Sequence, residues 1–134
     1  MTYKDLNVYK RAYQVAIQLH QFLDKKGEVF NTDEINQLKS LSRKALAGIA
    51  ESFSQQSSKA KRFFNFKALD AIHSLMMDLD FLHDVGRLPD KAYRELYNEY
   101  EVAAKQLYKL NQSILEKAKA PSDATVPEKE PVKA

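Results

Sequence analysis

Seven basic side chains, Lys39, Arg43, Lys44, Lys59, Lys61, Arg62 and Lys67, fall in a stretch whose only acid is Glu51. The whole chain of 134 residues nets just +3, so the remainder is net acidic. Concentrated positive charge gathers phosphates, and nucleic acid is the commonest polyanion that a soluble protein meets. Helical spacing divides the block. Lys39 and Arg43 lie one turn apart on one helix, with Lys44 beside them, while Lys59 and Arg62 share a face at the start of the next. Helix rise separates Lys39 from Lys59 by about 25 Å. The compact cluster is therefore Lys59, Lys61, Arg62 and Lys67, near the turn at 53–58. Ser57, Ser58 and the free N–H groups of the helix they open would add a weak anion contact there. The same charges also suit an ordinary solvated face. No RNA-binding motif with interleaved aromatics is recognisable, so base-specific readout has no support.

Other reactive side chains are isolated. Glu51, between Ala50 and Phe53, lacks the second acid or base that acid–base catalysis needs, and is expected to pair with Arg62 or Lys59 across the turn. Asp80-Phe81-Leu82-His83 has the carboxylate-x-x-histidine spacing of metal-binding bundles, with Asp84 and His73 nearby. A di-metal site needs a second such motif and further inward glutamates, so no metal is assigned and a boundary position is expected for Asp80 and His83. His20 is likewise expected at a boundary. There is no cysteine, which excludes disulfides and thiolate chemistry. There is also no glycine-rich phosphate loop, and no serine in a nucleophile turn with a matching histidine and acid. The reading is non-enzymatic, without cofactor.

These residues must be positioned by helices. Only three glycines and four prolines argue against a turn-rich β architecture. Tyr93, Leu96, Tyr100, Ala103, Leu107, Leu110 and Ile114 alternate steps of three and four, which predicts a long amphipathic helix after Pro89-Asp90. A third helix is predicted from about 58 to 85, with Phe64, Ala68, Ala71, Leu75, Leu79 and Leu82 inward. A second opens at Asn31-Thr32-Asp33-Glu34 and reaches about 56. Its inner positions, Ile35, Leu38, Ser42, Ala45, Ile49 and Phe53, are mostly small. Gly48 sits mid-helix at a cost of about 1 kcal/mol relative to alanine, which predicts close neighbours. The first helix, about 7–26, would turn Tyr9, Tyr13, Ala16, Leu19 and Leu23 inward. Short connections give an all-α, up-down-up-down antiparallel four-helix bundle over 1–118, followed by a disordered tail over 119–134 rich in Pro, Lys and Glu.

Some large apolar residues fall off the inward stripes: Phe63, Phe66, Met76, Met77, Phe81, Tyr97, Tyr108, Val8, Ile17 and Phe22. They mean either a broad core face with a few exposed aromatics or a second buried face made by self-association. No apolar run is long enough to span a bilayer, and no signal peptide is apparent, which points to a cytoplasmic protein that makes no membrane contact.

Across roughly residues 3–115 the order of short motifs resembles the bacterial four-helix-bundle family of rRNA intervening-sequence proteins, which includes the accessory variability proteins of diversity-generating retroelements. The motifs are Tyr3-Lys4-Asp5-Leu6-Asn7-Val8-Tyr9, Ile49-Ala50-Glu51, Ser57-Ser58-Lys59, Phe64, Ala68-Leu69 and Gly86-Arg87-Leu88. The resemblance implies a homopentameric ring of bundles. For the retroelement members it further implies a basic accessory protein that binds RNA or DNA and a reverse transcriptase. A protein–protein scaffold without nucleic-acid binding is the competing expectation.

Overall fold

Helix starts are set where a side chain can satisfy the first free N–H groups. Asn31 accepts from Glu34 N at 2.8 Å, and the Glu34 carboxylate accepts from Asn31 N at 3.0 Å, a reciprocal capping box. Ser57 Oγ accepts from Ala60 N at 3.0 Å in the same way. The computed structural model describes residues 1–119 and holds four helices: α1 (Asn7–Lys25), α2 (Thr32–Ser54), α3 (Ser58–Asp84) and α4 (Asp90–Lys119). Single 3₁₀ turns at Tyr3–Asp5 and Gly27–Val29 lead into α1 and follow it. α3 ends in a Schellman motif: Gly86, at φ +79°, donates to His83 O while Arg87 N donates to Leu82 O. All four helices lie where the periodicity predicts them. The tail assigned to 119–134 lies outside the described residues except for Lys119, which is still helical.

Cross-helix hydrogen bonds give the topology. His20 pairs with Ser42 and Asp24 with Lys39, so α1 and α2 run antiparallel. Ser52 bonds Lys61 O and Glu34 meets Arg87, so α2 and the α3 hairpin are antiparallel too. Asn65 bonds Asn111 while Tyr93 bonds Asp80, which reverses α4 against α3. Each helix packs on its chain neighbours, and α4 closes against α1. The result is an all-α four-helix bundle with no strand among the described residues.

One continuous core runs between the four helices, built on Leu19, Leu23, Leu38, Ile49, Ile72, Leu75, Leu79, Tyr100 and Leu107. The inward stripes of α3 and α4 follow the periodicity; on α1 and α2 Ala16, Leu19, Leu23, Leu38, Ser42, Ala45 and Ile49 follow it too, and the remaining positions are displaced. Val8, Ala12 and Val15 are buried on α1, while Tyr13 is exposed and Tyr9 only half-buried, edge-on to Tyr3 and stacked on Tyr13. On α2, Leu41, Gly48 and Ser52 are buried while Ile35 and Phe53 are half-buried. Small residues win the inner face because neighbouring axes come close. A Cβ built on Gly48 would stand 2.8 Å from Ala68 Cβ and 3.0 Å from both Ala68 N and Phe64 O. Of the off-stripe apolar residues, Val8 is in the core, whereas Phe22, Met76 and Tyr97 are half-buried. Ile17, Phe63, Phe66, Met77, Phe81 and Tyr108 remain exposed.

Candidate nucleic-acid interface

The α2–α3 connection is short because Ser54 ends one helix and Ser57 caps the next. It therefore holds Lys59 and Lys61 at one end of the bundle, while Lys39 and Arg43 lie several turns back along α2. Ser52, buried at the end of α2, donates through Oγ to Lys61 O at 2.8 Å and pins the first turns of α3 against it. Lys61 Nζ donates to Phe53 O at 3.3 Å and lies 5.9 Å from the Phe53 ring centre. That puts an ammonium beside the negative end of the α2 dipole. Lys59 is exposed on the first turn of α3. Arg62 is half-buried: its carbonyl accepts from Asn111 Nδ2 at 3.2 Å, and its Nε is buried without a partner. Lys67 is exposed, with Nζ 5.4 Å from the Phe63 ring centre.

Lys59, Lys61, Arg62 and Lys67 lie within three turns of α3 but do not all point one way, and the pairing expected for Glu51 needs correcting. At 100° per residue, Lys61 leans on Phe53 of α2, Arg62 is turned away from it and half-buried, and Lys67 lines the groove between α2 and α3 together with Lys44. Glu51 does not pair with Arg62 or Lys59. Its carboxylate accepts from Gln55 Nε2 at 3.0 Å, because a neighbour one turn along the same helix is nearer than any cation across the connection. Lys39 is tied to Asp24 at 2.7 Å, which holds Asp24 below the usual carboxylate range. The other six basic residues, Arg43, Lys44, Lys59, Lys61, Arg62 and Lys67, make no ion pair with an acid among the described residues. Ser57 spends its oxygen on the cap, which leaves little for an anion there.

Elsewhere several polar side chains are engaged with one another. Ser42 is buried and donates to Lys39 O at 2.7 Å, so its single proton is spent. The 2.9 Å contact with His20 Nε2 is then a bond donated by the imidazole, which fixes the tautomer. Burial first, then the charges of Lys39 and Arg43, push His20 below its usual pKa. This pairing of serine and histidine is invisible to local spacing. It is not nucleophilic, since the hydroxyl proton points at a carbonyl rather than at the imidazole.

At the opposite end, Asp80 and His83 are both half-buried, as their flanking of core leucines predicts. His83 Nε2 lies 2.5 Å from Asp90 Oδ1, and its ring stacks on Tyr93 with centroids 4.1 Å apart. Tyr93 donates to Asp80 at 2.5 Å, and that bond above all, with burial, pushes its hydroxyl up to about 12. Glu34 and Arg87 form a two-pronged ion pair across the α2–α3 hairpin. Burial pushes Glu34 up, but Arg87 and the Asn31 N–H outweigh it and hold the carboxyl below its ordinary range. Among the described residues no group of three or more histidines and acids is placed to hold a metal ion. No described helix is long and apolar enough to cross a membrane.

A groove of about 650 Å³ runs between α2 and α3, lined by Leu41, Lys44, Ala47, Gly48, Glu51, Phe64, Lys67, Asp70, Ala71 and Ser74. Its floor is apolar and its rim carries two cations and two anions. No protein-family model, curated protein or solved structure matches this chain.

Proposed function

We propose that this protein is a non-enzymatic, self-associating helical bundle of the cytoplasm that binds RNA or DNA through the basic surface at the α2–α3 connection. The observation that carries this reading is density: Arg43, Lys44, Lys59, Lys61, Arg62 and Lys67 lie on two adjacent helices without an acid partner, in a stretch whose only acid is Glu51. Arg43, Lys44, Lys59 and Lys67 are exposed and Lys61 and Arg62 half-buried, so phosphates that meet this surface release their condensed counterions. Affinity then comes from phosphate neutralisation, with little sequence preference. The resemblance to the intervening-sequence and accessory variability proteins supports two finer readings, a homopentameric ring that repeats the patch and a reverse transcriptase as partner. Exposed Phe66, Tyr108 and Ile17, on three different helices, offer apolar surface for such a ring. The protein-scaffold reading rests on those same side chains.

Binding of a labelled 20-nucleotide RNA and of its DNA equivalent, titrated with salt, tests the reading. With three phosphates neutralised, log K falls with log salt at a slope of about −2 to −3. K59E/K61E lowers affinity at least about tenfold and flattens the slope. Absent or salt-insensitive binding to both nucleic acids refutes it and favours the scaffold.

A further inference from the structure

The four charges on the rim of the α2/α3 groove are ordered self-complementarily. On α2, Lys44 and Glu51 are two turns apart and Gly48 lies beside their midpoint. On α3, Lys67 and Asp70 are one turn apart and Ala68 lies beside theirs. Gly48 and Ala68 are also where the two helices touch, since a Cβ on Gly48 would come within 2.8 Å of Ala68 Cβ. All four charged side chains are exposed, and none forms an ion pair among the described residues; the hydrogen-bond partner of Glu51 is the neutral Gln55.

We infer that this face binds a second copy of the chain about a two-fold axis, which lies in the plane of contact and crosses both helices at Gly48 and Ala68. Rotation about that axis reverses helix direction while keeping each helix over its own counterpart. α2 lies antiparallel on α2 of the second copy, so Lys44 of each meets Glu51 of the other. α3 does the same, so Lys67 of each meets Asp70 of the other, and symmetry doubles both pairs. The four helices around the groove become an intermolecular four-helix bundle with the apolar floor as its core. Phe63, 56% exposed, comes opposite Ser74 and within a turn of Met77, 68% exposed.

A second copy fits this face better than other occupants. A polyanion meets Glu51 and Asp70 on the same rim as the lysines. An unrelated helix would have to carry the matching order of charges at both spacings, which this chain necessarily does. Two helices about 27 Å long and about 10 Å wide cover roughly 500 Å² per copy. That is near the lower bound for a specific interface, so the contact is concentration-dependent. The inference rests only on the self-association half of the proposed function. Lys44 and Lys67 then face the second copy, and Arg43, Lys59, Lys61 and Arg62, none of which lines the groove, form the part of the basic surface left to nucleic acid.

Sedimentation velocity and native mass spectrometry of the full chain, from about 1 to 100 µM, test it, with circular dichroism confirming the fold of each variant. The wild type gives an even-numbered species, either a dimer or two five-membered rings joined. K44E alone sets two carboxylates against each other across the axis, and E51K alone sets two ammonium groups against each other, so each weakens the contact at least about tenfold. An equal mixture of the two variants restores it, because every charge then faces its opposite in the mixed pair. The inference is overturned if the wild type forms only monomers or odd-numbered species, if either variant associates as the wild type does, or if the mixture does no better than its components. Loss of RNA binding in K59E/K61E reads out separately.

Discussion

Gly48→Ala sets two opposed effects of known size against each other. Alanine is favoured over glycine in a helix interior by about 1 kcal/mol, so on a free helix the substitution stabilises. Here the added Cβ would stand 2.8 Å from Ala68 Cβ and 3.0 Å from Ala68 N and Phe64 O. Two of those three atoms belong to the α3 backbone and cannot rotate away. Relief requires α2 and α3 to separate, which loosens the packing of Ala45 and Ile49 against Ala68 and Ile72, all fully buried. Overpacking of this kind costs about 1–3 kcal/mol, and immovable backbone places it at the upper end. Subtracting the propensity gain leaves a net loss of about 1–2 kcal/mol, or about 4–8 °C in Tm for a domain of this size. Urea denaturation followed by circular dichroism measures it, with an unchanged m-value as the two-state check. Ala68→Gly removes the shortest contact, so the double variant G48A/A68G should lose about 1 kcal/mol less than the sum of the singles. A G48A protein as stable as the wild type, or more so, would show that the helices do not approach this closely.

Tyr100 is fully buried and its hydroxyl has no hydrogen-bond partner, and burial raises its pKa well above the usual phenol range. Tyr100→Phe should therefore stabilise the fold by about 1 kcal/mol in the same urea assay, and a loss of that size would contradict the packing. Because His20 is held below its usual 6.5, the unfolded chain binds a proton first as pH falls past that value. Stability then declines until the folded imidazole also titrates. The urea midpoint should accordingly drop more between about pH 7.5 and 5.5 for the wild type than for His20→Gln; equal drops would remove His20 from the account.

Helix limits were readable almost to the residue, because caps are local. Asn31 with Glu34, Ser57 with Ala60 N, and the glycine at 86 each act within one turn. The long stripes of α3 and α4 were readable for the same reason: a repeat of three and four over many turns admits one inward face. α1 and α2 carry two adjacent apolar stripes, and periodicity cannot rank them. Tyr13 and Phe53 are large and apolar enough to suit an interior, yet the close approach of neighbouring helices admits Ala12, Val15, Gly48 and Ser52 instead. The basic block was visible as composition and its split along the chain as helix spacing, but the direction of each side chain within the 59–67 cluster was not. Lys61 turns to Phe53 and Lys67 to the groove, since each direction depends on which helix stands beside α3.

The amino-acid order alone determines that this chain forms four helices, where each starts and stops, and that positive charge is concentrated around the second connection. Those properties depend on neighbours within a turn or two, and local backbone physics settles them. Tertiary packing decides which cations stay unpaired, that Glu51 answers Gln55 rather than an arginine, that His20 and Ser42 meet, and that Lys44, Glu51, Lys67 and Asp70 share one groove. Each of these joins residues on different helices or rival partners at similar range. The approach of α2 and α3 at Gly48 and Ala68 brings the four groove residues together, and the packing of α1 on α2 brings His20 to Ser42.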